Sequence, residues 1–295
     1  MKSPLVTVGM PVYNGAATID GAVRSLLAQT LTDMELVVSD NASTDDTRDI
    51  VERLAREDSR IRYIRHAANI GANGNYSAVA RAARGTYLKW ASASDLCAPT
   101  FLSRCVEVLE ADSDAVLAAP RTRLFELDPS NARDYDQDFA LLDASPVRRF
   151  QEWMRLCRLN NAFNGVIRLE ALRRTEFVGA YVHADLVLMG HLALLGKFLL
   201  VEDYLYLRRM EVGTSTALMD EGGQLRHHYP ERSRRILWQN WKRQRGWVSA
   251  AFAAPMTILE RMRMTAILAR QGLYYGSALG NDVLDAMRYV AHRPK

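Results

Sequence analysis

Leu36-Val37-Val38-Ser39-Asp40-Asn41-Ala42-Ser43-Thr44-Asp45-Asp46-Thr47 changes character within a few residues, from a continuous apolar run to a cluster of hydrogen-bonding side chains. A short apolar run suits a strand buried on both faces, and the polar cluster that ends it suits a strand-to-helix turn. Toward the N-terminus, Leu5 to Met10 is a second apolar run, closed by Pro11. Between the two runs, Ile19, Val23, Leu26 and Leu27 recur at helical spacing behind Thr18, a residue type that caps helices. Toward the C-terminus the alternation continues with a polar helix from about Asp45 to Glu57, a strand at Ile61 to Ile64, an Ala-rich helix from about Asn73 to Arg84, and a strand at Thr86 to Trp90. Four strands separated by helices predict an α/β fold with a mainly parallel sheet, right-handed crossovers and helices on both faces.

Beyond Asp95 the expected elements are a helix near Phe101 to Glu110, a strand at Ala115 to Ala119 and a polar surface loop from Asp128 to Ser145. A helix near Phe150 to Leu159, a strand at Gly165 to Leu169, a helix over Ala184 to Leu195 and strands at Phe198 to Val201 and Tyr204 to Arg208 follow. The tail after about Asp220 reads as helical, which divides the chain into 1–98, 99–219 and 220–295. A length of 295 residues fits about two structural units, and 48% hydrophobic with 24% charged residues is ordinary for a folded protein, which excludes disordered and fibrous classes.

Met1-Lys2-Ser3-Pro4 carries no secretory pattern. The longest apolar-rich stretch, Trp247 to Leu259, is interrupted by Ser249, Pro255 and Thr257 and is too short for a membrane span. Cys97, Cys105 and Cys157 are odd in number and widely spaced, as expected of reduced thiols. A cytoplasmic chain is the expectation.

In an open α/β sheet, ligands sit beyond the carboxyl ends of the strands. Here those ends are Pro11-Val12-Tyr13-Asn14-Gly15, Asp40-Asn41, Asn69-Ile70-Gly71 and Ser92-Ala93-Ser94-Asp95. No Gly-x-Gly-x-x-Gly follows the first strand and no P-loop appears, so dinucleotide oxidoreductases and P-loop phosphotransferases lose their main support.

The ordered set Val6-Thr7-Val8-Gly9-Met10-Pro11-Val12-Tyr13-Asn14, Ser25-Leu26-Leu27-Ala28-Gln29-Thr30, Val38 to Thr47, Asn69-Ile70-Gly71 and Ala83-Arg84-Gly85-Thr86-Tyr87 resembles the family-2 glycosyltransferases, which share the GT-A fold. The resemblance covers roughly residues 5 to 215 and weakens along the chain. It implies a nucleotide-sugar-binding half over 1–98, an acceptor-binding and catalytic half over 99–219, and transfer of a sugar from a nucleoside-diphosphate donor. By the same resemblance Pro11, Val12, Tyr13 and Asn14 line the base pocket, and Asp40, beside Asn41, recognises the base. A carboxylate accepts the ring N3 proton of uracil or thymine and repels the N3 acceptor of cytosine, so UDP or dTDP is favoured, with GDP also able to offer a ring N–H. Taken alone, Asp40 reads as an Asx turn or a helix cap, and it is the whole surrounding motif that turns the reading to the nucleotide. Asn69, Gly71 and Asn75 are placed near the ribose and diphosphate.

The family's Asp-any-Asp pair would hold Mg²⁺ or Mn²⁺, but Ser92-Ala93-Ser94 replaces it here. Hydroxyls supply neither the charge nor the ligand strength that hard cations want, which leaves Asp95 and Glu211 as the remaining oxygen ligands. Ser94 and Asp95 stay in the donor pocket, where Asp95 reads equally as a helix cap. Arg208 and Arg209 are candidates to neutralise the leaving diphosphate.

An inverting transfer needs a base for the acceptor hydroxyl, and the resemblance points to Asp185, a residue that would otherwise be a first-turn helix acid. His183 is a second candidate at this position, His191 reads as structural and His66 as surface. Loss of the metal pair keeps alive an inactive nucleotide-sugar-binding scaffold as the alternative.

From Glu221 onward 13 Lys and Arg face 5 Asp and Glu. Arg232, Arg234, Arg235, Lys242, Arg243 and Arg245 interleave with Trp238, Trp241 and Trp247, a pattern that fits peripheral attachment at the inner membrane face near a lipid-linked acceptor, packing on the body, or a homodimer. Nothing else in the chain supports nucleic acid as a partner.

Overall fold

The computed structural model describes residues 3–210 and 238–291. Strands β1 (Val6–Val12), β2 (Met34–Asp40), β3 (Ile61–Arg65) and β4 (Tyr87–Trp90) are linked by helices α1 (Ile19–Leu27), α2 (Thr47–Glu57) and α3 (Ala72–Ala82). All four strands pair in parallel, in the order β3-β2-β1-β4. β1 and β2 are buried almost throughout, which is why their sequences are continuous apolar runs. Helix α3 crosses β1 closely: a Cβ on Gly9 would lie 1.9 Å from Val79 Cγ1, so this strand position has no room for a side chain. Thr18 precedes α1 without making the expected cap hydrogen bond.

The second half contains β5 (Leu96–Cys97), α4 (Phe101–Ala111), β6 (Ala115–Phe125), β7 (Arg133–Tyr135), α5 (Pro146–Leu156), β8 (Val166–Arg168), α6 (Leu169–Arg173), α7 (Ala184–Leu195) and β9 (Lys197–Arg209). These strands extend the same sheet in the order β4-β8-β6-β9-β5, with β7 added to β6. β6 and β9 run parallel, whereas β8, β7 and β5 join in antiparallel fashion, so the sheet is parallel in its first half and mixed in its second.

Two expectations change here. The strands expected at 198–201 and 204–208 form one long β9, because the ladder with β6 absorbs Glu202 and Asp203 through register shifts near Arg121 instead of breaking. The segment 128–145, expected as a loop, contributes β7 and a fully buried Leu141 whose backbone bonds both ways to Phe198.

The tail helices are α8 (Gln239–Ala253), α9 (Ile258–Tyr274) and α10 (Gly276–Ala291). α8 packs on α7 through small residues: Gly190 meets the Trp247 ring, and Gly246 lies under the Tyr181 hydroxyl. Trp247 sits edge-on to Phe150, with ring centroids 5.3 Å apart, so the start of the tail is part of the core.

His191 lies on the buried face of α7 with Nε2 unpaired, and burial, with the Arg174 charge, lowers its pKa from 6.5 to about 4. The unfolded chain therefore takes up this proton first. The stability His191 preserves is complete above its unfolded pKa and is lost as the pH falls toward its folded one, by about 2 kcal/mol between about pH 8 and about pH 5. Denaturant unfolding at those two pH values should show His191→Asn losing less stability on acidification than the parent chain. Equal losses would contradict the assignment.

Candidate active site

The sheet order reverses at β1, which has β2 on one side and β4 on the other, and a crevice opens at such a switch point beyond the strand ends. Register places Val12 beside Asp40 and Asp40 beside Arg65, so the loops after β1, β2 and β3 meet along one edge.

The polar motif after β2 braces these loops. Asn41 N donates to Val12 O, Asn41 Nδ2 donates to Asn69 Oδ1, and Asn41 Oδ1 accepts from Ile70 N. Asn14 N donates to Ser43 Oγ, and Asn14 Oδ1 accepts from Thr44 N. Asn14 holds a left-handed φ of 52°, which its side chain tolerates, and Ala42 is held at 62° by the surrounding bonds. Gly71, at φ 77°, donates its N–H to Asn69 Oδ1 and opens α3. Val12 is buried and Pro11 half-buried beside it, while Tyr13 remains 49% exposed at the tip of β1.

Asp40 is fully buried. Its Oδ1 accepts from Ser43 N at 2.8 Å, the expected Asx turn, and its Oδ2 accepts from Tyr63 Oη at 2.6 Å and Arg65 Nη1 at 2.5 Å. Burial raises its pKa, but the Ser43 and Tyr63 hydrogen bonds and the Arg65 charge together hold it below the usual carboxylate range. These partners occupy at least three of a carboxylate's four acceptor positions. The Arg65 side chain, 34% exposed, covers that carboxylate.

Asn75 is buried and turned inward: Nδ2 donates to Ser39 O, and Oδ1 accepts from Ser39 Oγ. His66, expected at the surface, belongs to the same network through Nε2, 3.0 Å from Ser39 Oγ.

After β4, Ser92 and Ser94 pair through their hydroxyls at 2.9 Å. Asp95 is buried, with Oδ2 accepting from Tyr206 Oη at 2.5 Å and Oδ1 from Arg209 N at 2.8 Å. It therefore ties the crevice to β9 and does not cap α4. Burial raises its pKa, opposed by those two hydrogen bonds and by the Arg208 and Lys89 charges. Lys89, completely buried, donates to the carbonyls of Trp90 and Asn164 and lies 4.5 Å from the Phe101 ring centre.

These residues do not fit a divalent cation. Ser92 and Ser94 offer neutral hydroxyls where a cation wants carboxylates, Asp95 is a single carboxylate already accepting from Tyr206 and Arg209, and among the described residues no three His, Cys, Asp or Glu side chains form a metal-binding group. Glu211 lies outside the described residues.

Across the crevice, Asp185 in the first turn of α7 accepts from Asn160 Nδ2 at 2.9 Å. Asn73 Nδ2 donates to the carbonyls of Gly179 and Tyr181, and Ser77 Oγ to that of Val178, so α3 fixes the loop that delivers His183 and Asp185. Arg208 Nη1 donates to Leu159 O and Asn161 Oδ1, while Asn161 Nδ2 donates to the half-buried carboxylate of Asp138. Arg209 reaches Ser94 O and Glu126 O and stacks over Phe125.

Tyr76 shows how these groups converge. Burial pushes its hydroxyl up to about 12, the Asp95 and Asp185 charges add to the shift, and Arg208 opposes it. Charged side chains from the loop after β4, from α7 and from β9 thus act on one tyrosine that packs against Trp90 and Phe163.

Tyr76, Lys89, Asn160, Asn161 and Tyr206 carry no motif of their own. Tyr206 alone had a usable signal, since period-two alternation puts it on the same face of β9 as Arg208.

The profile described as Glycosyl transferase family 2 matches residues 7–172. The uncharacterized glycosyltransferase EpsJ of Bacillus subtilis is 36% identical over 107 residues, 36% of this chain and 31% of EpsJ. The Escherichia coli UDP-Glc:alpha-D-GlcNAc-diphosphoundecaprenol beta-1,3-glucosyltransferase WfaP is 32% identical over 108 residues, 37% of this chain and 42% of WfaP. The chain spans about a third of the length of the first curated relatives it matches. Among solved structures, S. aureus TarS 1-349 in complex with UDP superposes with a TM-score of 0.65 at 15% identity, covering 93% of this chain and 73% of that one. The Pyrobaculum calidifontis mannosyltransferase PcManGT, in complex with GDP-Man and Mn²⁺, gives a TM-score of 0.55 at 17% identity, covering 100% and 89%. With a GT-A architecture, strand-end motifs gathered at one crevice and a family match over more than half of its length, this chain belongs to glycosyl transferase family 2.

Proposed function

We propose that the chain transfers a sugar from a UDP- or dTDP-linked donor to a hydroxyl of a glycan or lipid-linked acceptor, with inversion. The observation that carries this reading is the gathering of Tyr13, Asn14, Asp40 and Asn69 at the switch-point edge, where hydrogen bonds from Asn14 and Asn41 hold the loops after β1, β2 and β3 together. The UDP complex of TarS, and the UDP-glucose donor and diphosphoundecaprenol-linked acceptor in the name of WfaP, support the donor and acceptor classes.

The base stacks on exposed Tyr13 and offers its N3–H to the Asp40 carboxylate, and Arg65 swings off that carboxylate to admit it. Asn69 and Gly71 lie along the ribose and diphosphate. Asp185 takes the acceptor hydroxyl proton as that oxygen bonds to the anomeric carbon. The carbon–oxygen bond to the diphosphate breaks, and its electron pair leaves with the nucleoside diphosphate. Arg208 and Arg209 bring positive side chains to the end of β9, where they oppose the negative charge of the departing group.

Release of nucleoside diphosphate from a panel of UDP-, dTDP- and GDP-sugars, with glycan and lipid-linked acceptors and with or without EDTA, tests this reading. The expected result is turnover of a UDP- or dTDP-sugar that EDTA leaves unchanged, because Ser92 and Ser94 stand where a carboxylate pair would hold a cation and no metal-binding group forms among the described residues. Turnover that EDTA abolishes would contradict the metal-independent part. Donor binding without turnover on any acceptor would favour a nucleotide-sugar-binding scaffold, a reading kept alive by the paired serines and the engaged Asp95.

A further inference from the structure

α8 and α9 pack as a helical hairpin whose inner face is spent on the body. α8 buries Gly246, Trp247, Ala250 and Ala251, and α9 buries only Met264 and Leu268. Their outer faces are apolar as well. On α9, Ile258, Met262, Ala269 and Leu273 recur at steps of four, seven and four, a single helical stripe, and Ile258, Met262 and Leu273 are 83%, 66% and 83% exposed. On α8, Trp241, Val248 and Phe252 recur at steps of seven and four and are also exposed. A groove of about 360 Å³ opens between the two helices, lined by Trp241, Val248 and Phe252 of α8 and by Leu268, Ala269 and Gly272 of α9. Lys242 and Arg245 on α8, and Arg263 and Arg270 on α9, stand exposed on or beside the stripes.

The charge decides what covers this face. In a two-fold dimer the same patch would meet itself and bring these cations against their copies. An anionic bilayer complements both features: the apolar stripes enter the headgroup boundary, while Lys and Arg stems extend to the phosphates. No helix among the described residues is long and apolar enough to cross a membrane, so the contact is one of lying on the surface. We propose that the α8–α9 hairpin docks in the plane of an anionic phospholipid surface. This inference is independent of the chemistry in the crevice.

Co-sedimentation of the full chain with vesicles of phosphatidylcholine alone, or of phosphatidylcholine mixed with phosphatidylglycerol, tests it. Binding is expected to the mixed vesicles, to weaken with added salt, and to be lost in the Met262→Glu, Leu273→Glu double variant. Arg263→Gln with Arg270→Gln should weaken it about thirtyfold, at about 1 kcal/mol for each cation near the surface. Both pairs are exposed, and unchanged circular dichroism and melting will show that the fold is intact. Failure to bind mixed vesicles, equal binding to neutral ones, or full binding by the Met262→Glu, Leu273→Glu variant would overturn the proposal. A concentration-dependent dimer split by those same substitutions, in a chain that ignores vesicles, would assign the face to a second copy and overturn it too.

Discussion

Asp40→Asn will weaken binding of uridine diphosphate by about 10- to 100-fold, the cost of about 1.5–3 kcal/mol for a hydrogen bond to a charged group. The substitution keeps the size of the side chain and an oxygen for Ser43 N. It removes the negative charge that answers the base N–H and sets an amide N–H₂ among donors that already include Tyr63 and Arg65. The discriminating readout is cytidine diphosphate, whose ring nitrogen is an acceptor. The parent chain should prefer UDP to CDP strongly, and in the variant that preference should collapse, which a merely structural role for Asp40 would not produce. Isothermal titration with both nucleotides measures it. A variant that keeps the full preference would remove Asp40 from base recognition and leave it as the Asx turn that its bond to Ser43 also makes it.

Asp185→Asn should lower kcat by about 10²- to 10⁴-fold, the usual contribution of a positioned general base, while the affinity for nucleoside diphosphate stays the same. Geometry makes this split expected. Asp185 stands on α7 and is oriented by Asn160, whereas the base-side residues stand at the ends of β1 and β2. Asn is isosteric and can still accept from Asn160 through its oxygen, so α7 should hold its place. Steady-state turnover combined with a separate binding measurement checks the prediction. Near-normal turnover would reject Asp185 as the base and turn attention to His183, two residues earlier at the start of the same helix.

The first four strands and their helices were legible because β1, β2 and β4 are buried on both faces and each strand leads into a distinct polar cluster. What remained hidden depends on contacts between distant segments. Arg208 meets Asn161 and Asp95 meets Tyr206 only because β9 lies beside β6 and β5, a neighbourhood that no spacing in the sequence encodes. Asn75 shows the opposite case, in which a residue expected near the ribose is consumed by Ser39 within the brace beneath the crevice. In the motif after Val38, bracing and the binding we propose use the same residue types, so composition cannot separate Asn41, which holds loops together, from Asp40, the residue we propose receives the base. Lys89 was unreadable for another reason: a lysine within a four-residue apolar strand gives no sign that two carbonyls and an aromatic face will take its charge.

A crystal structure of the chain soaked with UDP most directly tests whether the crevice at the β1–β2 edge holds a nucleotide. It should show the uracil ring against Tyr13, its N3 within hydrogen-bond distance of the Asp40 carboxylate, and Arg65 displaced from its position over Oδ2. Density for UDP elsewhere, or an Asp40–Arg65 pair unchanged beneath a bound nucleotide, would contradict it.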